Sequence, residues 1–221
     1  MKRRFLAAAL IGFILSGCSN REAENTTLTW GSRGSQPGRF AAPRAIEARQ
    51  GLIYVIDRLG RVQKFDLTGK YLLEWRITPN DNGTPTSLTL DETGDVWIPD
   101  THNSRILHYN PQGELLNSFG EYGEEAGRFV YPTGICFSST GDLFIIEYGI
   151  HDRVQKFSRE GQYLGFGWGD HGEGENQLNR PMGIERGPDG LLYIADAANH
   201  RIVVYTEEGK LVRIFGKNGK A

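Results

Sequence analysis

Cysteine is nearly absent from this chain: 221 residues hold two, Cys18 and Cys136. That scarcity excludes a disulfide framework and any cysteine-rich zinc site. No apolar run reaches the roughly 20 residues a membrane-spanning helix needs; the stretch Phe5 to Leu15 is apolar but too short. An excess of basic charge is also missing, since 25 Lys and Arg stand against 27 Asp and Glu, for a formal charge of −2. A nucleic-acid binder draws much of its affinity from neutralising phosphates, so nucleic acid is not an expected partner. Methionine is scarce too, with 2 residues against 29 glycines. That balance points to many turns and short strands.

What is present at the N-terminus reads as an export signal. Lys2, Arg3 and Arg4 form a basic start, Phe5 to Leu15 a hydrophobic segment, and Leu15-Ser16-Gly17-Cys18 follows directly. This order is that of a secretory signal, and the last four residues resemble the bacterial lipobox. The resemblance implies cleavage after Gly17, a lipid thioether on Cys18, and a membrane anchor. Alternatives are an ordinary signal peptide with a chance cysteine, or an uncleaved anchor. Ser19 stands where inner-membrane retention has Asp, so sorting to the outer membrane is expected. The expected division is a signal peptide at 1–17, a tether at 18–27 and a folded domain at 28–221. Loss of the three leading basic residues would leave 22 basic against 27 acidic, a formal charge of −5. Cys136, in Gly134-Ile135-Cys136-Phe137, reads as a small buried hydrophobe.

The domain is built of repeats, which outrank local pattern as an indicator of architecture. Four copies superpose, about 40–75, 83–119, 129–166 and 178–215. The last copy runs Leu178-Asn179-Arg180-Pro181-Met182-Gly183-Ile184, Asp189-Gly190-Leu191-Leu192-Tyr193-Ile194-Ala195-Asp196, then Arg201-Ile202-Val203-Val204-Tyr205 and Ile214-Phe215-Gly216. The arginines at 61, 105, 153 and 201 fall 44, 48 and 48 residues apart. Each copy offers four runs of strand length separated by Gly, Asp, Asn or Pro. Such a unit cannot cover both of its faces alone, but radial stacking covers them, so the predicted fold is an all-β propeller of four-stranded blades.

Asp100-Thr101-His102-Asn103-Ser104-Arg105-Ile106 and Asp196-Ala197-Ala198-Asn199-His200-Arg201-Ile202 closely resemble the NHL repeat. The resemblance covers Leu28 to about Gly216, and the patterns of WD and Kelch propellers are missing. NHL propellers commonly close with six blades. Here four blades are accompanied by a fifth run resembling an outer strand, Leu28-Thr29-Trp30-Gly31. An open arc or shortened form is preferred over a strained small ring or completion by a second copy.

Among functional residues, an acid and an arginine recur in every copy: Asp57 and Arg61, Asp100 and Arg105, Glu147 and Arg153, Asp196 and Arg201. Repetition in each blade argues for a structural tie rather than an active site. His102, His151 and His200 lie in loops between second and third strands. They form the alternative metal set, for zinc or calcium, since the NHL-like amidating lyases bind zinc through histidines from separate blades. Those enzymes also employ a catalytic arginine and tyrosine. No nucleophile–base arrangement, phosphate loop or calcium loop is identified, and Gly167 to Gly172 reads as an interblade linker. The expected function is therefore an envelope-anchored binding or scaffold module for a protein, peptide or glycan, without a cofactor. A metal-dependent enzyme resembling the amidating lyases or lactonase-like propellers is the alternative, and homo-oligomerisation is an option if the ring is incomplete.

Overall fold

In a computed structural model, residues 28–79 and 82–219 are described. The segments expected to be signal peptide and tether, with Cys18, lie outside them. Four four-stranded antiparallel sheets follow one another along the chain. The first holds β1 (Pro43–Arg49), β2 (Leu52–Asp57), β3 (Arg61–Asp66) and β4 (Tyr71–Arg76). The second holds β5 (Thr89–Leu90), β6 (Val96–Asp100), β7 (Arg105–Tyr109) and β8 (Leu115–Phe119). The third is β9 (Tyr131–Phe137), β10 (Leu143–Tyr148), β11 (Arg153–Phe157) and β12 (Tyr163–Trp168). The fourth is β13 (Pro181–Arg186), β14 (Leu192–Asp196), β15 (Arg201–Tyr205) and β16 (Leu211–Phe215). Within each sheet the strands pair in chain order, so these are the blades of a propeller with β1, β5, β9 and β13 innermost.

The blades differ from the expected boundaries in two places. The inner strand of the second blade is only two residues long and begins four residues after Pro85. Trp168 ends β12, so the glycine-rich linker starts at Gly169.

Three apolar interfaces hold the blades together. Tyr54, Ile56 and Val62 of the first blade pack on Val96, Ile98 and Leu107 of the second. Trp97 and Ile106 of the second meet Ile135, Ile145 and Phe157 of the third. Phe144, Ile146 and Val154 of the third meet Ile184, Ile194 and Val203 of the fourth. Alternate residues of each strand thus serve opposite interfaces, as the period of two in a pleated strand requires.

The expected extra strand at Leu28-Gly31 is a correction: among the described residues it belongs to no sheet. Its tryptophan nevertheless occupies a repeat position. Trp75 lies over Gly113, Phe119 over Gly161 and Trp168 over Gly209, each outer-strand aromatic covering the β-turn glycine of the following blade; Trp30 covers Gly69 in the same way. A side chain at any of these glycines would enter the ring, and their φ values of +73° to +91° suit glycine independently. The backbone bridge Arg33↔Phe40 also matches Tyr122↔Phe129 and His171↔Leu178. Residues 30–40 therefore occupy the place of a preceding blade's outer edge and linker, without its ladder.

Candidate functional site

The recurring acid and arginine meet in all four blades, at 2.8 Å for Asp57–Arg61, 2.8 Å for Asp100–Arg105, 2.7 Å for Glu147–Arg153 and 2.7 Å for Asp196–Arg201. Each arginine also donates to carbonyls of the linker entering its blade. Arg61 reaches Ser35 and Arg39, Arg153 reaches Glu125 and Arg128, and Arg201 reaches Glu173, Gly174 and Gln177. Three of the carboxylates, Asp57, Glu147 and Asp196, accept from the same segments, at the backbone N–H of Ala41, Val130 and Asn179. Each pair thus fastens the linker entering its blade to the second and third strands of that blade. Burial pushes the Glu147 carboxyl up, against the opposing pull of the Val130 N–H, Arg153 and Gln155.

The histidines are arranged otherwise. Among the described residues, the one group of three His, Cys, Asp or Glu ligand atoms within 4.8 Å of one another is Asp91, Asp95 and His108. His102, His151 and His200 therefore form no such group. The physical reason is register: His102 sits inside the 3-10 turn Thr101–Asn103, whereas His200 follows the turn Ala197–Asn199 as its left-handed cap, with φ 55°. The two are not equivalent positions, and His151 faces the exposed Asp170 at 3.5 Å.

The Asp91 cluster is already occupied by donors of the chain itself. Asp91 accepts from Arg159 at 2.7 Å and from the Trp97 ring nitrogen at 3.2 Å, and Asp95 pairs with His108 at 2.8 Å. Burial pushes the Asp91 carboxyl up, but the bonds from Thr93, Trp97 and the Asp95 N–H, with Arg159, outweigh it and hold it low. With His108 stacked on Trp97 at 3.8 Å, the cluster ties the second blade to the third.

The innermost strands also border a cavity on the axis. It has a volume of ≈ 490 Å³ and opens at the end of the inner strands away from the linkers. Pairing registers place Glu47 opposite Tyr54, Thr89 opposite Trp97, Cys136 opposite Phe144 and Glu185 opposite Tyr193. Those four residues are thus one repeat position, and all four line the cavity. Each blade contributes its own chemistry at that position: two carboxylates, a hydroxyl and a thiol.

Arg49, Arg159 and Arg186 add positive charge. Arg159 is bound to Asp91, and Arg186 to Glu207 at 2.6 Å. Glu47 and Glu185 have no ion-pair partner within 4 Å among the described residues. Desolvation pushes the Glu47 carboxyl up, repulsion from Glu185 adds to it, and Arg49 opposes both. Glu185 is raised by burial against the Arg186 N–H and Arg49. Burial also pushes the Cys136 thiol up. Sequence reading treated Cys136 only as a small hydrophobe and missed this ring, because its four members share a register but not one chemical type.

The fold and the axial cavity define a β-propeller. Comparison with known proteins adds the family. A family model described as NHL repeat matches residues 178–205. NHL repeat-containing protein 3 of Mus musculus is 26% identical over 183 residues, 74% of this chain and 51% of that protein. Peptidyl-alpha-hydroxyglycine alpha-amidating lyase 1 of Drosophila melanogaster is 28% identical over 109 residues, 47% of this chain and 20% of its own length. Among solved structures, a streptogramin B lyase superposes with a TM-score of 0.62 at 20% identity, covering 79% of this chain and 54% of its own. A gluconolactonase from Xanthomonas campestris gives 0.56 at 14% identity, over 76% and 59% of the two chains. This chain is an NHL-repeat β-propeller protein. It spans about half the length of the NHL repeat-containing relatives it matches.

Proposed function

We propose that the chain is an exported, lipid-anchored binding module, whose axial cavity receives a charged segment of an envelope protein, peptide or glycan. The observation that carries this reading is the contribution of one equivalent residue from every innermost strand, Glu47, Thr89, Cys136 and Glu185, to a single cavity. Ligand sites are usually concave and carry a few convergent polar groups that fix the ligand's orientation. The cavity offers both signs of charge: Glu47 and Glu185 lack ion-pair partners among the described residues, while Arg49 gives Nη1 to the Leu90 carbonyl at 3.3 Å. A ligand carrying an ammonium and a carboxylate would satisfy both.

Anchoring through Cys18 rests on the order of basic start, apolar segment and lipobox-like residues. A metal-dependent lyase or lactonase reading has less support, because His102, His151 and His200 are not gathered. Calorimetric titration with dipeptides tests the cavity. Binding that falls about tenfold in both Glu185→Gln and Arg49→Ala is expected, as loss of one charged contact would give. Binding that ignores both variants would refute it. Cys18→Ser is expected to move the protein from the membrane to the soluble fraction.

A further inference from the structure

The end of the axis opposite the cavity carries a second, chemically different feature. Arg180, just before β13, has φ 55°. Its N–H donates to Asp152 Oδ2 at 3.0 Å, and Asp152 also accepts from the Gly149 N–H at 3.0 Å and pairs with His171 Nδ1 at 2.8 Å. The Arg180 backbone is therefore fixed from beneath by a buried carboxylate. Its guanidinium lies 5.5 Å from the Tyr148 ring centre. Tyr148 stacks on Tyr131 at 5.2 Å and 30°, and Tyr131 meets His102 edge-on at 6.1 Å. The row Arg180, Tyr148, Tyr131, His102 crosses the linker-side rim from the fourth blade to the second.

The polar ends of this row are unspent. Among the described residues, the Arg180 guanidinium has no ion pair and no hydrogen bond, and neither tyrosine hydroxyl is bonded. By contrast Arg61, Arg105, Arg153 and Arg201 are all committed to carboxylates. Two further rim arginines, Arg44 and Arg58, are exposed and hold no carboxylate among the described residues; Arg44 gives Nη1 to the Thr84 carbonyl at 3.1 Å. The carboxylate that accepts the Arg180 N–H, Asp152, is already turned to His171 and to a second backbone N–H group. A guanidinium held over an aromatic face keeps its planar fork of donors free, and that fork matches a two-oxygen anion.

We infer that the Arg180–Tyr148–Tyr131 row is an anion site that takes a carboxylate or phosphate group of a ligand. The guanidinium engages two anion oxygens, the two phenol hydroxyls donate to the ligand beside it, and the His102 ring bounds the site. This inference is independent of the axial cavity.

Titration calorimetry on the full-length chain in detergent micelles tests it, with galacturonate as the carboxylate probe and inorganic phosphate as the other. Binding of galacturonate alone assigns a carboxylate ligand, and binding of phosphate alone assigns a phosphate ligand. In either case Arg180→Ala should weaken binding about tenfold or more, and Arg180→Lys, which keeps charge but not the fork, by less. Tyr148→Phe should weaken it a few-fold, and Arg213→Ala, on the outer strand of the fourth blade, should leave it unchanged. Arg180 is exposed, so its variants should melt as the parent does. Absence of binding of either probe at millimolar concentration would overturn the inference. So would an affinity unmoved by Arg180→Ala, or one lost equally in Arg49→Ala of the axial cavity.

Discussion

Arg61 and Asp57 are both wholly buried, unlike the other three pairs, whose arginines keep some exposure. Removing one partner of a buried pair strands the other charge, which costs about 3–5 kcal/mol. Arg61→Ala should therefore lower the urea midpoint more than Arg105→Ala does, and equal effects would contradict the burial difference. At the cavity the sign is reversed. The fold raises the carboxyls of Glu47 and Glu185, so the folded chain holds these protons more tightly than the unfolded one. Their contribution is present at acid pH and is lost as pH rises past the ordinary carboxylate range. Glu185→Gln should thus leave stability unchanged near pH 4 and raise it at pH 8, by less than about 1 kcal/mol because the group is half exposed. Urea unfolding at the two pH values checks this; a loss at pH 8 would mean that Glu185 is held by a partner.

Strands, turns and the acid–arginine ties were legible in the sequence because each is written in chemically similar residues at a nearly constant period. The ring of Glu47, Thr89, Cys136 and Glu185 was not, since only pairing register makes its members equivalent. Leu28-Gly31 was misread for a related reason: it keeps the aromatic and glycine of an outer strand but has no sheet to join. At this scale one repeat position gives a clean contrast. Ile46, Ile135 and Ile184 are equivalent, yet Ile46 is 64% exposed while Ile135 and Ile184 are 3% and 6% exposed. Ile184→Asn should cost about 3 kcal/mol or more, and Ile46→Asn less than about 0.5 kcal/mol. Comparable losses in thermal melts would mean that the first blade is covered. Trp30→Ala should cost about 2 kcal/mol, since the ring packs against Phe40 and Phe65 without a strand to hold it.

For the whole molecule, the two ends of the blade series are built differently. The outward face of the fourth blade places Glu185, Ala195 and Arg213 where the third places Cys136, Ile146 and Phe166. Arg213 there bonds the Tyr193 hydroxyl at 2.8 Å and lies 5.8 Å from its ring centre. Charged residues at such positions are the kind that terminal repeats carry on their outer face. The first blade instead keeps an apolar groove beside Ile46 and Val55, partly shielded by Trp30 and Phe40. The same face of the fourth blade also carries Ile202, Val204 and Phe215, the last 47% exposed, so it mixes charged and apolar groups; we propose an open arc of four blades rather than a ring completed by a second copy. Elemental analysis of gently purified protein is expected to show neither zinc nor calcium in stoichiometric amount.

Small-angle X-ray scattering on the Cys18→Ser protein, with mass from light scattering, tests the open arc most directly. A monomer is expected, with scattering that fits four blades around an axis open on one side. A dimer whose scattering fits a closed disc would contradict it, because Glu185 and Arg213 would then be buried against a second chain.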